Sequence, residues 1–239
     1  GEYTRAFLVG RLGWNALGGN LIISGAFGLF RRSVLLDIGG YEHASVGEDM
    51  ELVVRVRRHH YEIGQPAKVV FSPDPVAWTE CPESLRTLAR QRNRWFRGLL
   101  DVLSRHRRMI LNPRYGTAGT LAMPYFLFVE ALAPVVEALG LVIVAVGLAL
   151  GWYGASDVAV VAAANLAGAS VSILVLICDE MSFRSYTGAR SRLRLVVLAV
   201  IEQIVYRPLT TVWRLWGVKL YLQGRTEWGA QVRRGFRTS

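Results

Sequence analysis

The stretch TAGTLAMPYFLFVEALAPVVEALGLVIVAVGLALGWYGASDVAVVAAANLAGASVSILVLIC, Thr117 to Cys178, carries charge only at Glu130, Glu137 and Asp157. About 20 consecutive apolar residues suffice to cross a bilayer core as a helix. Two such runs fit here: one at about 124–152, strongest from Leu139 to Trp152, and one from Val158 to Cys178. Pro124, Pro134, Glu130 and Glu137 interrupt the first run and give its early part an interfacial or re-entrant character. Further out, Leu195 to Leu222 is apolar with Arg207-Pro208 at its middle, so it reads as a kinked span or as two short interfacial helices. Before Tyr115, charged and apolar residues mix as in a globular domain. The chain is therefore expected to join a polar segment (1–115) to a membrane segment (116–239) near Pro113.

The 239 residues carry a net charge of +10 and are 52% hydrophobic. The basic residues flank the apolar runs: Arg105, Arg107, Arg108 and Arg114 before the first, Arg184, Arg190, Arg192 and Arg194 after the second. Arginines at membrane ends mark cytoplasmic loops and meet anionic headgroups. No recognition motif accompanies the charge, so nucleic acid is set aside. On this pattern the polar segment, the loop Phe183 to Arg194 and the tail are cytoplasmic, and Gly151 to Asp157 is the outer loop. Cys81 and Cys178 make neither a disulfide framework nor a metal pattern, which fits a reducing compartment. The opening GEYTRAFLVG has no Met and no leader, and reads as the start of a piece of a longer protein.

Within the polar segment, Tyr3 to Leu17 reads as a helix stopped by Gly18-Gly19. Asn20 to Phe30 is apolar and strand-like, and Gly39-Gly40 signals a turn. Glu48 to His60 reads as a helix with acids first and bases last, complementing its dipole. Lys68 to Phe71 reads as a short strand broken by Ser72-Pro73-Asp74-Pro75. Pro82 suits the first turn of a helix running to about Ser104. Arg105 to Tyr115 reads as an amphipathic approach to the membrane.

Three constellations can carry chemistry. Gly47-Glu48-Asp49 puts paired acids at a turn-to-helix junction, where a carboxylate can take a proton from an attacking hydroxyl; acids capping a helix would look the same. Gln91-Arg92-Asn93-Arg94-Trp95 sets Gln91, Arg94 and Trp95 on one helix face. Arg94 suits phosphate oxygens and Trp95 a sugar ring, although a surface helix with an anchoring Trp is the plain alternative. Ser24-Gly25-Ala26-Phe27-Gly28 lets a ligand approach the backbone, or is a core strand with a bulge. No His or Cys cluster has zinc spacing.

In this order, ahead of membrane helices, the motifs SGAFGLFRR (Ser24 to Arg32), IGGY (Ile38 to Tyr41), GEDMEL (Gly47 to Leu52), WTECPESL (Trp78 to Leu85) and QRNRW (Gln91 to Trp95) resemble those of membrane-bound, processive-type family 2 glycosyltransferases. That group includes the cellulose, chitin, hyaluronan and poly-N-acetylglucosamine synthases. QRNRW matches the family's QxxRW motif, and TEWGAQVRRG (Thr226 to Gly235) is similar to the end of poly-N-acetylglucosamine-type synthases. The resemblance implies the C-terminal part of an α/β, GT-A-type, Rossmann-like domain followed by membrane helices. It implies Asp49 as catalytic base with Glu48 supporting. Gln91, Arg94 and Trp95, with Arg92, are implied at the diphosphate and acceptor, and Ser24, Gly25 and Ala26 at the acceptor-site floor.

It also implies a nucleotide-diphospho-sugar donor, a glycan acceptor, the lipid bilayer and further secretion or synthase subunits as partners. A divalent cation, Mg2+ or Mn2+, is implied in the full-length enzyme. The family's metal-binding aspartates precede the stretch matched here, and no DxD occurs. The expectation is an inverting transferase at the inner membrane whose 239-residue piece is inactive alone. The alternative is a non-catalytic scaffold or degenerate partner of a glycan synthase. A channel or transporter is disfavoured by so few spans.

Overall fold

The structure is a computed structural model that describes residues 10–23, 25, 27–73, 82–183, 194, 197–198 and 201–225. The chain divides into two compact units, residues 14–133 with 213–239, and residues 1–13 with 134–212. Ser24, Ala26, Cys81, most of the Phe183 to Arg194 loop and the Thr226 to Gly235 tail motif lie outside the described residues.

The unit built on residues 14–133 is helical where it is described. Helix α1 (Gly10–Ala16) ends at Gly18, whose φ of 66° suits a residue without a Cβ. Helix α2 (Arg32–Asp37) had no sequence signal of its own. Helix α3 (Glu48–Glu62) starts with Glu48, Asp49 and Glu51 and ends with His59 and His60, as the dipole favours. It buries Met50, Leu52, Val53, Val54 and Val56. Helix α4 (Leu85–Arg105) begins after Ser84, whose hydroxyl accepts from Thr87 N at 3.2 Å. Pro82 therefore precedes the cap rather than filling the first turn, because Ser84 can satisfy an orphan N–H and proline cannot.

Two further expectations change. Arg105 to Tyr115 is not one amphipathic helix: after α4 it forms 3-10 turns at Arg107–Met109 and Pro113–Tyr115. Pro113 disfavours helical backbone at Asn112, which instead caps the second turn by accepting from Arg114 N at 3.0 Å. Met109 and Tyr115 are buried by these turns. Lys68 to Phe71 forms no strand, and none is found among the described residues. A strand exists only by pairing, and here the Phe71 N–H donates to Asn15 Oδ1 at 3.0 Å instead.

Helix α5 (Ala118–Ala149) starts inside this unit. Its first half alternates π-helical turns, Ala118–Ala122 and Phe126–Ala131, around Met123–Tyr125. Pro124 has no N–H to give the α ladder, and the wider turns re-register the chain around it. Ala118, Ala122, Met123, Phe126 and Ala131 join Leu21, Met50, Val54, Val102, Leu103, Met109 and Tyr115 in one core. Each fully buried Leu, Val or Met there contributes about 1.5–3 kcal/mol. The start of the apolar stretch is thus consumed by protein packing.

The other unit holds the rest of α5, helix α6 (Ala155–Phe183) and a π turn, Glu202–Tyr206, that becomes helix α7 (Arg207–Leu222) at Arg207-Pro208; from Trp213 on, α7 belongs to the first unit. Thr211 donates to the Glu137 carboxylate. Among the described residues, two helices are long and apolar enough to cross a membrane, Ala118–Ala149 and Ser156–Val175. Their outer residues are apolar: Val136, Leu139, Val142, Ile143 and Val160 are all exposed.

Candidate active site

Glu48 and Asp49 open α3, directly after Gly47, which offers no side-chain cap. Asp49 Oδ1 accepts from Met50 N at 2.8 Å, so one oxygen is held by the helix start. The other faces Gly25: a Cβ on Gly25 would stand 3.0 Å from Asp49 Oδ2. Gly25 thus leaves room beside the carboxylate that any side chain would narrow. Its neighbours Ser24 and Ala26 are outside the described residues.

The QRNRW segment lies on α4, and its residues divide by direction. Arg94 acts electrostatically on Glu48. Burial pushes the Glu48 carboxyl above its usual value. Its own backbone hydrogen bond opposes this, the Asp49 charge adds to it, and the Arg94 charge opposes it. Arg92 stands over the Trp95 ring, 4.7 Å from its centroid, and steadies that partly exposed indole. Asn93 and Arg97 turn the other way: Asn93 Nδ2 donates to Trp213 O at 3.2 Å and Arg97 Nη1 to Arg225 O at 2.7 Å. Gln91 is half-buried on the same helix.

Two glycines bring the helices together. A Cβ on Gly98 would lie 2.9 Å from Gly47 Cα, and one on Gly47 would lie 3.0 Å from Gly98 Cα. Gly98 follows Arg94 by one turn, so this backbone contact sets how near Arg94 comes to the acids. Three polar links continue the seam: Ser45 Oγ donates to Asp101 Oδ2 at 2.7 Å, Arg105 Nη2 donates to Ala44 O at 3.2 Å, and His106 Nε2 lies 3.3 Å from Glu51 Oε1. Sequence reasoning passed over Gly98, although a glycine inside a helix, costing about 1 kcal/mol, is a sign of close packing.

A cleft of about 430 Å³ opens beside the acids, lined by Gly25, Tyr41, Glu42, His43, Ser45 and Glu48. The structure therefore gathers Gly25, Glu48, Asp49 and Arg94 and orients Trp95 with Arg92. Among the described residues no group of three His, Cys, Asp or Glu side chains could hold a metal ion, so these residues do not themselves fit the divalent cation implied by the family resemblance.

Acids at a helix start, a guanidinium set against them and a sugar-sized cleft are the parts of a group-transfer site. Residues 2–156 match the family described as Glycosyl transferase family group 2, and the chain belongs to it. It is similar to the probable glycosyltransferase YdaM of Bacillus subtilis (strain 168), with 34% identity over 36% of this chain and 20% of the relative. It is also similar to the poly-beta-1,6-N-acetyl-D-glucosamine synthase of Staphylococcus epidermidis, with 34% identity over 35% of this chain and 19% of the relative. The synthase of that name from Staphylococcus aureus (strain COL) is 31% identical over 48% of this chain and 25% of the relative. The chain thus spans about a fifth to a quarter of the curated relatives it matches. No solved structure matches it significantly.

Proposed function

We propose that the protein is a membrane-bound, inverting glycosyltransferase of polysaccharide synthesis, acting at the cytoplasmic face. The carrying observation is the convergence of Gly25, Asp49 Oδ2, Glu48 and Arg94 at the α3–α4 junction. The family's GT-A-type domain is the expected frame, with the α5 and α6 helices as its membrane anchor.

In this reading an acceptor hydroxyl enters between Gly25 and Asp49. Its oxygen attacks the anomeric carbon of a nucleotide-diphospho-sugar as Asp49 takes its proton. The bond from that carbon to the diphosphate oxygen breaks, and the diphosphate leaves with the electron pair towards Arg94. One displacement inverts the anomeric centre. Gln91 and Trp95 border the donor and acceptor, and Arg92 holds the Trp95 ring. The family's divalent cation would supply charge compensation at the diphosphate when bound. The poly-N-acetylglucosamine synthases among the relatives make N-acetylglucosamine the favoured sugar.

In the full-length enzyme, Asp49→Asn is expected to lower transfer by about 10²–10⁴-fold, the usual worth of a general base, with donor affinity retained. Near-wild-type turnover in Asp49→Asn would mean that another group takes the proton. A full-length protein that binds no nucleotide sugar would favour the scaffold reading instead.

A further inference from the structure

The loop between α2 and α3 is anchored at both ends and exposed at its tip. At its start, Arg55 Nη1 donates to Ile38 O at 2.7 Å and Nη2 to Gly40 O at 2.6 Å. Arg55 is itself held by Glu51, its Nε 3.0 Å from Oε1. At its end, Ala44 N donates to Glu42 Oε1 at 3.1 Å, and Ala44 O and Ser45 Oγ are tied to α4 through Arg105 and Asp101. Gly39 and Gly40, with φ of 81° and 75°, make the turn that lifts the chain away. Between these anchors Tyr41 is 47% exposed. His43 is exposed too, and neither has a hydrogen-bond partner among the described residues.

Both side chains line the cleft that Gly25 and Glu48 complete. Its volume falls within the roughly 300–1,000 Å³ of small-ligand sites. Glu42 and Glu48 in its walls, with Asp49 beside it, repel a diphosphate and suit a neutral polyol. An exposed aromatic ring with polar groups beside it suits a pyranose: apolar C–H against the ring and hydroxyls against imidazole and carboxylate.

We propose that Tyr41, His43 and Glu42 form the subsite for the acceptor's terminal sugar. Tyr41 stacks on the sugar that presents its hydroxyl to Asp49, and His43 and Glu42 bond its other hydroxyls. The proposal rests on the transferase reading above. It adds this loop to the Gln91 and Trp95 contacts as a second wall around the acceptor, while Arg94 serves the diphosphate.

The test uses the full-length enzyme with UDP-N-acetylglucosamine and a β-1,6-linked N-acetylglucosamine tetrasaccharide, and measures transfer alongside donor hydrolysis without acceptor. Tyr41→Ala is expected to raise the acceptor KM by about tenfold, the loss of one ring contact. Donor KM and donor hydrolysis should stay within about twofold on the same free-energy scale. Tyr41→Phe should keep the wild-type acceptor KM, because the ring face remains. His43→Ala should raise acceptor KM alone, and it serves as the second variant should Tyr41→Ala fold poorly. An unchanged acceptor KM in Tyr41→Ala and His43→Ala, or a rise confined to donor KM, overturns the subsite. A wild type that hydrolyses donor but ignores the tetrasaccharide overturns it as well. A wild type that neither hydrolyses nor transfers overturns the transferase reading itself.

Discussion

Asp49 and Glu51 lie two residues apart on α3 and meet opposite surroundings. Asp49 lies against Gly25, whereas Glu51 is buried between Arg55 and His106. Burial alone would push the Glu51 carboxyl up, but hydrogen bonds from His106 and Arg55 outweigh it and hold the value below 4.5. A folded pKa below the unfolded one means that the stabilisation is complete above about 4.5. It is lost as pH falls through the lower folded value. Glu51→Gln should therefore cost about 1–3 kcal/mol at neutral pH, the usual penalty for disrupting a buried hydrogen-bonded charge. Wild-type thermal midpoints should fall steeply with acidification below about 4.5, while those of Glu51→Gln stay flatter. Parallel pH profiles for the two proteins would remove the Glu51 cluster from the stability of the seam.

The α3–α4 pair shows what a single sequence carries and what it withholds. Helix α3 was legible because its charges run acid to base, and the Gly18-Gly19 stop because glycine suits positive φ there. The strand expected at Lys68 to Phe71 was not, because pairing is a tertiary fact that local propensity does not contain. Asp49 and Arg94 were legible as motif residues, but nothing local in the chain announces that Gly47 touches Gly98 or that Tyr41 and His43 border the acids. That glycine contact yields a prediction with an internal control. Replacing a helical glycine by alanine normally gains about 0.5–1 kcal/mol. Gly13 in α1 has open space around its Cβ position, so Gly13→Ala should be neutral or stabilising. Gly98→Ala should instead cost about 1–3 kcal/mol through overpacking, and it should lower kcat more than donor KM as Arg94 moves from the acids. If Gly98→Ala melts like Gly13→Ala and turns over normally, the close approach does not set the site.

For the molecule as a whole, α5 is one helix under two kinds of selection. Its first half packs the core shared with α3 and α4, where Ala122 and Met123 have no exposed surface. Its second half presents Val136, Leu139, Val142 and Ile143 outward, with Ile143 62% exposed. Water does not favour such a row of exposed aliphatics, and a bilayer does. Two substitutions in this helix should therefore fail in different ways. Ala122→Leu forces a larger side chain into a filled core, at about 1–3 kcal/mol. It should lower the melting temperature and protease resistance of the unit that carries Asp49 while the protein stays in carbonate-washed membranes. Ile143→Arg places a cation on the outward apolar face, at about 2.5–3.5 kcal/mol in the middle of a span. It should shift the protein towards the carbonate-soluble fraction while the fragment around α3 and α4 keeps its protease resistance. Equal loss of membrane retention in both variants would mean that the first half of α5 also faces lipid. Retention of Ile143→Arg at the wild-type level would mean that the exposed aliphatic face of α5 is covered by something other than a bilayer.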